Sequence, residues 1–160
     1  EIYRCDWSSD VCSSDLKNNL SKEALEIING SEKEQTAFGK ILDINCQIRK
    51  DLCGRGYVAD LKTTSNMNKC LKDAETYGYW TQAGFYSLVD DVEIYSWIVC
   101  ETVEPFEVVV YQPTRVSIKH AKECVKSSVE ELKKCLKSGV FSNGREGIIS
   151  VMHPELEMGV

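Results

Sequence analysis

The feature that most constrains the fold is a glycine-flanked triplet, Gly54-Arg55-Gly56, between two segments that have the pattern of β-strands. Apolar and polar residues alternate over 41–49, which is the two-residue period of a half-buried strand. After the triplet, the run 57–62 is a second candidate strand. Glycines at these positions are typical of tight hairpin turns. We therefore expect an antiparallel hairpin centred on this triplet.

The register of that hairpin follows from a two-residue turn at its tip. Gly54 then pairs with Tyr57, and counting outward along both strands places Asp51 opposite Asp60. Directly opposed residues of an antiparallel pair point to the same face, with Cβ atoms about 5 Å apart, and like charges there repel each other. A hard divalent cation, which prefers oxygen ligands, would relieve this repulsion.

Two neighbours of Asp60 extend this candidate site. Lys62 lies two residues further along the strand and points to the same face, whereas Leu61 points the other way and offers its backbone carbonyl. A Mg²⁺ ion held by these groups could polarise a phosphodiester and lower the pKa of a bound water. Lys62 could orient that water or stabilise charge on the phosphate. A solvent-facing ladder of ion pairs is the alternative interpretation.

The rest of the chain predicts the order helix, three strands, helix, two strands, helix. The predicted helices cover 20–28, 77–90 and 115–138, and the predicted strands cover 34–38, 41–49, 57–62, 93–100 and 106–111. Ser21 is a typical N-cap for the first helix, and apolar residues recur every three or four positions from Ile118 to Leu136 in the last. Gln82 and Tyr86 share one face of the middle helix. This order predicts a mixed α/β domain with helices packed on one sheet.

Length and composition indicate one domain and exclude some classes of function. A chain of 160 residues with 42% hydrophobic residues can form one core without disulfides, and no apolar run approaches the roughly 20 residues of a membrane helix. The net charge of −6 argues against non-specific coating of nucleic acid, but not against a local basic groove. The cysteines include no Cys-x-x-Cys pair, which weakens zinc and iron–sulfur interpretations. Reduced thiols in the cytoplasm are expected.

Residues 1–16 differ from the rest of the chain. They are rich in Ser and Asp, have no periodicity and lack the layout of a signal peptide. The segment 6–16 resembles the translation of a short-read sequencing adapter. We therefore predict that 1–16 are not native and that 17–160 form one domain that lacks its N-terminal part. Without 1–16, 21 acidic and 18 basic residues leave a net charge of −3. A disordered native tail is the alternative.

The residues of the candidate site resemble a known superfamily. The matching runs are Gln47-Ile-Arg-Lys-Asp51, Gly56-Tyr-Val-Ala-Asp60-Leu-Lys62-Thr-Thr64 and Gln82-Ala-Gly-Phe-Tyr86. They resemble the PD-(D/E)xK nucleases and, more narrowly, the RecB-like branch. The segments 46–51 and 98–111 are similar to the RecE-type, exonuclease VIII-like family of phage recombination. The resemblance covers about 31–138 and implies a restriction-endonuclease-like core, in which helices flank a central mixed β-sheet.

This resemblance implies an exonuclease that hydrolyses phosphodiester bonds of linear DNA with Mg²⁺ or Mn²⁺. The implied catalytic residues are Asp51, Asp60, Lys62, Gln82 and Tyr86, the implied metal ligands are Asp51, Asp60 and the Leu61 carbonyl, and Glu34 is a further candidate on the first strand. The implied partners are DNA, further copies of the chain and a single-strand annealing protein. The implied location is the cytoplasm of a bacterial or phage-infected cell, with no membrane contact.

Two departures from the family pattern keep other interpretations open. Lys50 stands where proline is usual and would place a cation beside the metal. The family's N-terminal helix, with its metal-binding histidine, would lie upstream of Lys17, and neither His120 nor His153 fits that place. One alternative is a catalytically inactive, truncated DNA-binding relic of the same fold. Another is an iron–sulfur RecB-like nuclease, which the cysteine spacing disfavours.

Overall fold

The computed structural model describes residues 20–141, so the predictions for 1–16, Lys17 and His153 lie outside the described residues. The described chain forms helices and strands in the expected order, with one short helical addition. The elements are α1 (Lys22–Gly30), β1 (Glu32–Ile41), β2 (Ile44–Gly54), β3 (Tyr57–Thr64), a 3-10 turn (Met67–Lys69), α2 (Cys70–Thr76), α3 (Tyr79–Val89), β4 (Ile94–Glu101), β5 (Val108–Tyr111) and α4 (Arg115–Ser138). No helix in this range is long and apolar enough to cross a membrane.

Local sequence signals set the ends of α1 and α4. The Ser21 side chain accepts a hydrogen bond from the Ala24 N–H at 3.2 Å, which confirms the predicted N-cap. Helix α4 has the predicted bounds, and Gly139 follows it with φ +72°. A glycine in this left-handed conformation is a common helix stop.

The second predicted strand was wrong at its start. Leu42 and Asp43 form the turn between β1 and β2, with φ +49° and +71°, so β2 begins at Ile44. A two-residue hairpin turn of this kind needs positive φ at both positions, and leucine is an unfavourable residue there. The apolar alternation therefore concealed the turn. Beyond it, Ile44 and Cys46 are half-buried and Ile48 is buried, as the period predicted.

Two further expectations about helices need correction. The sequence predicted no helix between the third strand and residue 77, but this segment forms the 3-10 turn and α2, whose Cys70 and Ala74 are buried. A two-turn helix is too short for its periodicity to be recognised. The apolar stripe of α4 is buried only as far as Val129, and Leu132 is 41% exposed.

The five strands form one mixed sheet in the order β1-β2-β3-β4-β5. Neighbouring strands are antiparallel, except for the parallel pair β3 and β4. One sheet face packs Leu52 and Ala59 against Ala24 of α1. The opposite face packs Val58 and Trp97 against residues of α2 and α3. The expected fold, a central mixed sheet with flanking helices, is confirmed.

The predicted hairpin register is confirmed near the turn, but the pairing ends earlier than expected. Gly54 pairs with Tyr57, and the last pair of the β2–β3 ladder is Leu52 with Ala59. Both strands continue beyond that pair, and β3 goes on pairing with β4. Asp51 and Asp60 are the next residues along β2 and β3. The two acidic residues therefore lie where β2 and β3 stop pairing with each other.

A close helix contact holds α3 against α4 at Gly84. A Cβ atom added at Gly84 would lie 2.6 Å from the backbone carbon of Ala121, a contact that neither backbone can easily relieve. We expect Gly84→Ala to lower the free energy of unfolding by about 1–3 kcal/mol, the usual cost of overpacking. At Gly30 the nearest atom would be the Tyr57 hydroxyl oxygen at 3.6 Å, so Gly30→Ala is the matched control. Urea denaturation measures both variants, and equal stability would contradict the interpretation.

Candidate active site

Asp51 occupies the point where the β2–β3 ladder ends. Its Oδ2 atom accepts a hydrogen bond from the Leu61 N–H at 2.9 Å, so a side chain replaces the backbone acceptor at this position of β3. This bond ties the Asp51 carboxylate to β3, next to Asp60. The Leu61 side chain packs on the other face with α1, as predicted.

Asp60 is the most deeply buried acidic residue of the site. It is 2% exposed, and burial raises its pKa to about 6. The nearby Lys62 ammonium opposes this rise in pKa, and the Asp51 carboxylate adds to it. The Oδ2 atom forms an ion pair with Lys62. The Oδ1 atom accepts a hydrogen bond from Gln82 Nε2 at 3.0 Å. Two partners thus compensate in part for the burial of this charge.

Helix α3 holds the site together from above the sheet. Gln82 accepts a hydrogen bond from Lys62 Nζ at 2.8 Å through Oε1, while its amide nitrogen donates to Asp60. One turn later, the Tyr86 hydroxyl donates to the Arg49 carbonyl oxygen at 2.8 Å. Because Gln82 contacts β3 and Tyr86 contacts β2, this helix spans the place where the two strands separate. The spacing of four residues between Gln82 and Tyr86 therefore lets one face of the helix contact both strands.

Two residues that the sequence placed near the metal, Glu34 and Lys50, point elsewhere. Glu34 has φ +58° and pairs with Arg49, and its side chain is 58% exposed. Lys50 forms an ion pair with Asp90 at the end of α3, which corrects the expectation of a cation beside the metal. His120, which the sequence excluded as the family's metal-binding histidine, lies on α4 with its Nε2 atom 3.6 Å from the Cys124 sulfur.

Two tyrosines belong to the site although sequence reasoning missed them. Lys62 Nζ lies 4.4 Å from the centroid of the Tyr79 ring, a cation–π contact. The Tyr95 ring packs edge-on against the Tyr86 ring, with centroids 6.2 Å apart. Tyr95 is 2% exposed, and its hydroxyl has no hydrogen-bond partner within the described residues. Tyr79 precedes Gln82 by three residues on the same helix, a spacing that could have identified it. Tyr95 had no such signal, because no turn sets the register of the parallel pair β3 and β4.

The donor atoms of the site suit a hard cation. Two carboxylates and a backbone carbonyl are oxygen ligands of the kind that Mg²⁺ prefers, and Mg²⁺ usually keeps several waters beside one or two carboxylates. Over residues 20–141, no group of three or more His, Cys, Asp or Glu side chains is placed to hold a metal ion. None of the six cysteines in this range forms a disulfide. A bound cation would therefore depend on Asp51, Asp60 and water.

Because Asp60 is buried, we expect its ionised carboxylate to lower the free energy of unfolding. Its pKa of about 6 in the folded protein exceeds the ordinary 3.8. The folded protein thus holds this proton more tightly than the unfolded chain does, and the contribution of Asp60 to stability falls as the pH rises between those values. In EDTA at pH 7 we expect Asp60→Asn to be more stable than the unchanged protein, by up to about 3 kcal/mol.

Urea denaturation at several pH values measures this effect. The advantage of Asp60→Asn should shrink as the pH is lowered through the same interval. Asp90→Asn is the matched control, because this more exposed partner of Lys50 has no comparable burial. An Asp60→Asn protein less stable than the unchanged one at pH 7 would refute the prediction.

The fold and the site together define a class. A mixed sheet flanked by helices, with two acidic residues and a lysine on adjoining strands where their pairing ends, is the arrangement of a PD-(D/E)xK-type domain. The chain belongs to the family described as a PDDEXK-like domain of unknown function (DUF3799), whose profile matches residues 10–151. The match includes the last residues of the segment 1–16.

Comparison with solved structures supports the same fold. A crystal structure of a "putative exonuclease" from Eubacterium rectale is similar with a TM-score of 0.60 and 14% identity, covering 91% of this chain and 72% of that chain. A crystal structure of SSO0001 has a TM-score of 0.40 and 16% identity, covering 64% and 53%, and this likeness is too low to support an argument. No curated protein matches the chain.

Proposed function

We propose that this protein is a metal-dependent nuclease that degrades linear DNA from an end, with Mg²⁺ or Mn²⁺ bound at Asp51 and Asp60. The proposal depends on the contacts of the buried Asp60 carboxylate. Asp60 forms an ion pair with Lys62, and Gln82 is hydrogen-bonded to both residues. Membership of a PDDEXK-like family supports a nuclease. The name of the E. rectale neighbour favours an exonuclease.

Each side chain has a definite task in this proposal. When bound, the metal would polarise the phosphodiester and acidify a water. Asp51 and Asp60 supply the charge that binds it, with the Leu61 carbonyl as a further ligand. Lys62, held by Gln82, would orient the attacking water or stabilise the charge that develops on the phosphate. Tyr86 fixes α3 to β2 and so keeps Gln82 in place.

The role in phage-type recombination rests on the resemblance of the segments 46–51 and 98–111 to RecE-type enzymes. In that setting the protein would act in the cytoplasm as an oligomer and supply single strands to an annealing protein.

A catalytically inactive, DNA-binding relic is the second candidate. The exposed pairing of Glu34 with Arg49 favours it, because Glu34 then adds no third carboxylate to Asp51 and Asp60.

One assay separates these candidates. Linear duplex DNA labelled at the 5′ or the 3′ end is incubated with the full chain in Mg²⁺, Mn²⁺ or EDTA, and closed circular DNA serves as the control. Degradation of the linear DNA alone, only with metal, supports the exonuclease. Cleavage of the circle indicates an endonuclease. Binding of DNA without degradation, by folded protein, supports the relic.

A further inference from the structure

A small cavity opens beside Lys62 and is not explained by the metal site. It has a volume of about 160 Å³. The cavity is lined by residues of β3, β4, α2 and the start of α3, and of the segments that follow β3 and α2. Its most informative lining residues are Lys62, Thr64, Ser65, Asp73, Tyr77 and Tyr79. Ligand pockets for drug-sized molecules occupy about 300–1,000 Å³, so this cavity suits one small ring system rather than a base pair.

The wall of the cavity is aromatic. The Tyr77 and Tyr79 ring centroids are 6.2 Å apart, with the planes tilted by 31°. Tyr77 is 70% exposed, so one face of its ring is free to contact a ligand. Tyr79 is fixed by Lys62 at 4.4 Å and by Trp97, whose ring centroid is 6.1 Å away. An exposed ring beside a packed ring is suited to stacking on a planar heterocycle.

The Asp73 carboxylate in the cavity wall determines which planar ligands can hydrogen-bond there. Asp73 is half-buried in the wall, and an ionised carboxylate only accepts hydrogen bonds. Burial raises the pKa of the Tyr79 phenol, and the nearby Cys70 and Asp73 raise it further. The Lys62 ammonium in the wall is already paired with Asp60 and Gln82. Asp73 is therefore the charged group left to meet a ligand, and its carboxylate disfavours a phosphate in the cavity. It favours a ring that carries an amino group, such as the N4 amino group of cytosine, a usual partner of Asp and Glu.

We infer that this cavity receives one unpaired nucleobase of the strand that Lys62 contacts, stacked on Tyr77 and hydrogen-bonded to Asp73 through an exocyclic amino group. The inference rests on the proposed function, because it takes the ligand to be a DNA strand. It adds a preference among bases. Cytosine offers an amino group where thymine offers a carbonyl oxygen, so thymine meets the Asp73 carboxylate with a second acceptor.

The test measures binding without catalysis. Fluorescence anisotropy in EDTA compares short oligo(dC) and oligo(dT) on the full chain. We expect oligo(dC) to bind about tenfold more tightly, the effect of one hydrogen bond to a charged group. Asp73→Asn should bind both equally, because an amide accepts from cytosine and donates to thymine.

A second pair of variants tests the stacking. Tyr77→Ala should weaken binding of both oligonucleotides by about tenfold, whereas Tyr77→Phe should keep it, because the ring remains. Phe38→Ala, which removes an exposed ring on β1 outside the cavity, is the control. Equal loss in Tyr77→Ala and Tyr77→Phe would overturn the stacking.

The remaining outcomes separate the inference from the proposed function. Equal affinity for oligo(dC) and oligo(dT), in protein that still degrades linear DNA, overturns the base pocket alone. If dCMP binds as tightly as oligo(dC), the cavity is a free-nucleotide site and the inference is wrong. If neither oligonucleotide binds to protein that still degrades linear duplex DNA, the base pocket is wrong and the proposed function stands. If neither oligonucleotide binds and linear duplex DNA is not degraded either, the proposed function and the inference both fail.

Discussion

Lys62→Met is expected to lower DNA cleavage by about two to three orders of magnitude, the usual loss when one preorganised electrostatic group is removed. The ammonium group reaches the Asp60 carboxylate and Gln82 Oε1 at once. Methionine keeps most of the length and the apolar stem of lysine but has no charge. Initial rates on end-labelled linear DNA in Mg²⁺ measure the effect.

The charge of Lys62 has a second effect that the assay must separate. Lys62 lowers the pKa of Asp60, so its loss favours protonation of that buried acid, which burial already favours. A protonated Asp60 would bind metal poorly. Raising the pH from 7 to 9 would ionise Asp60 again but would not replace the missing ammonium group. We therefore expect cleavage by Lys62→Met to stay low at pH 9. Full recovery at pH 9 would mean that Lys62 acts only by keeping Asp60 ionised.

Lys50→Met is the matched control for this experiment. The Lys50 and Lys62 side chains are similarly buried, at 11% and 15% exposed, and each forms an ion pair with one aspartate. Only Lys62 faces the candidate metal ligands. Lys50→Met should therefore lose a comparable ion pair and keep most of its activity. An equal loss of activity in the two variants would contradict the catalytic assignment.

Asp51→Asn is expected to abolish stabilisation of the protein by Mn²⁺. The asparagine side-chain oxygen can still accept the hydrogen bond that Asp51 Oδ2 receives from the Leu61 N–H, so the strand contact survives. What the variant loses is the negative charge that a hard cation requires. At a Mn²⁺ concentration 100 times the dissociation constant, the unchanged protein should gain about 2.7 kcal/mol, and Asp51→Asn should gain almost nothing.

Thermal unfolding over a series of Mn²⁺ concentrations measures this difference. Asp51→Ala serves as the second variant, since it loses both the charge and the hydrogen bond. It should be less stable than Asp51→Asn in EDTA and equally insensitive to Mn²⁺. Asp90→Asn is the control that should retain the full response. A normal Mn²⁺ response in Asp51→Asn would place the cation elsewhere.

The sequence could predict those parts of the site that depend on neighbours along the chain. The turn at Arg55-Gly56 sets the register by counting, and the period of two places Asp60 and Lys62 on one face. The four-residue spacing of Gln82 and Tyr86 places both on one face of α3. In each case the geometry of a single strand, hairpin or helix was enough.

Other parts of the site could not be predicted, because they depend on contacts between distant segments. The left-handed conformation of Glu34 and its pairing with Arg49 direct a predicted site residue outward. The partner of Lys50 lies 40 residues away, at the end of α3. Tyr95 reaches the site through a parallel strand pair that no turn defines.

By itself the sequence determined the order of the strands and the longer helices, the hairpin, and which residues share a face, because backbone periodicity and turn chemistry act over a few residues. Only the tertiary structure decided where β2 and β3 separate, that the Asp51 side chain takes the Leu61 N–H there, and that α3 binds both Asp60 and Lys62 through Gln82. These contacts depend on how closely a helix can approach the sheet. That distance is set by packing, including the close approach of Gly39 on β1 to the Val89 backbone of α3.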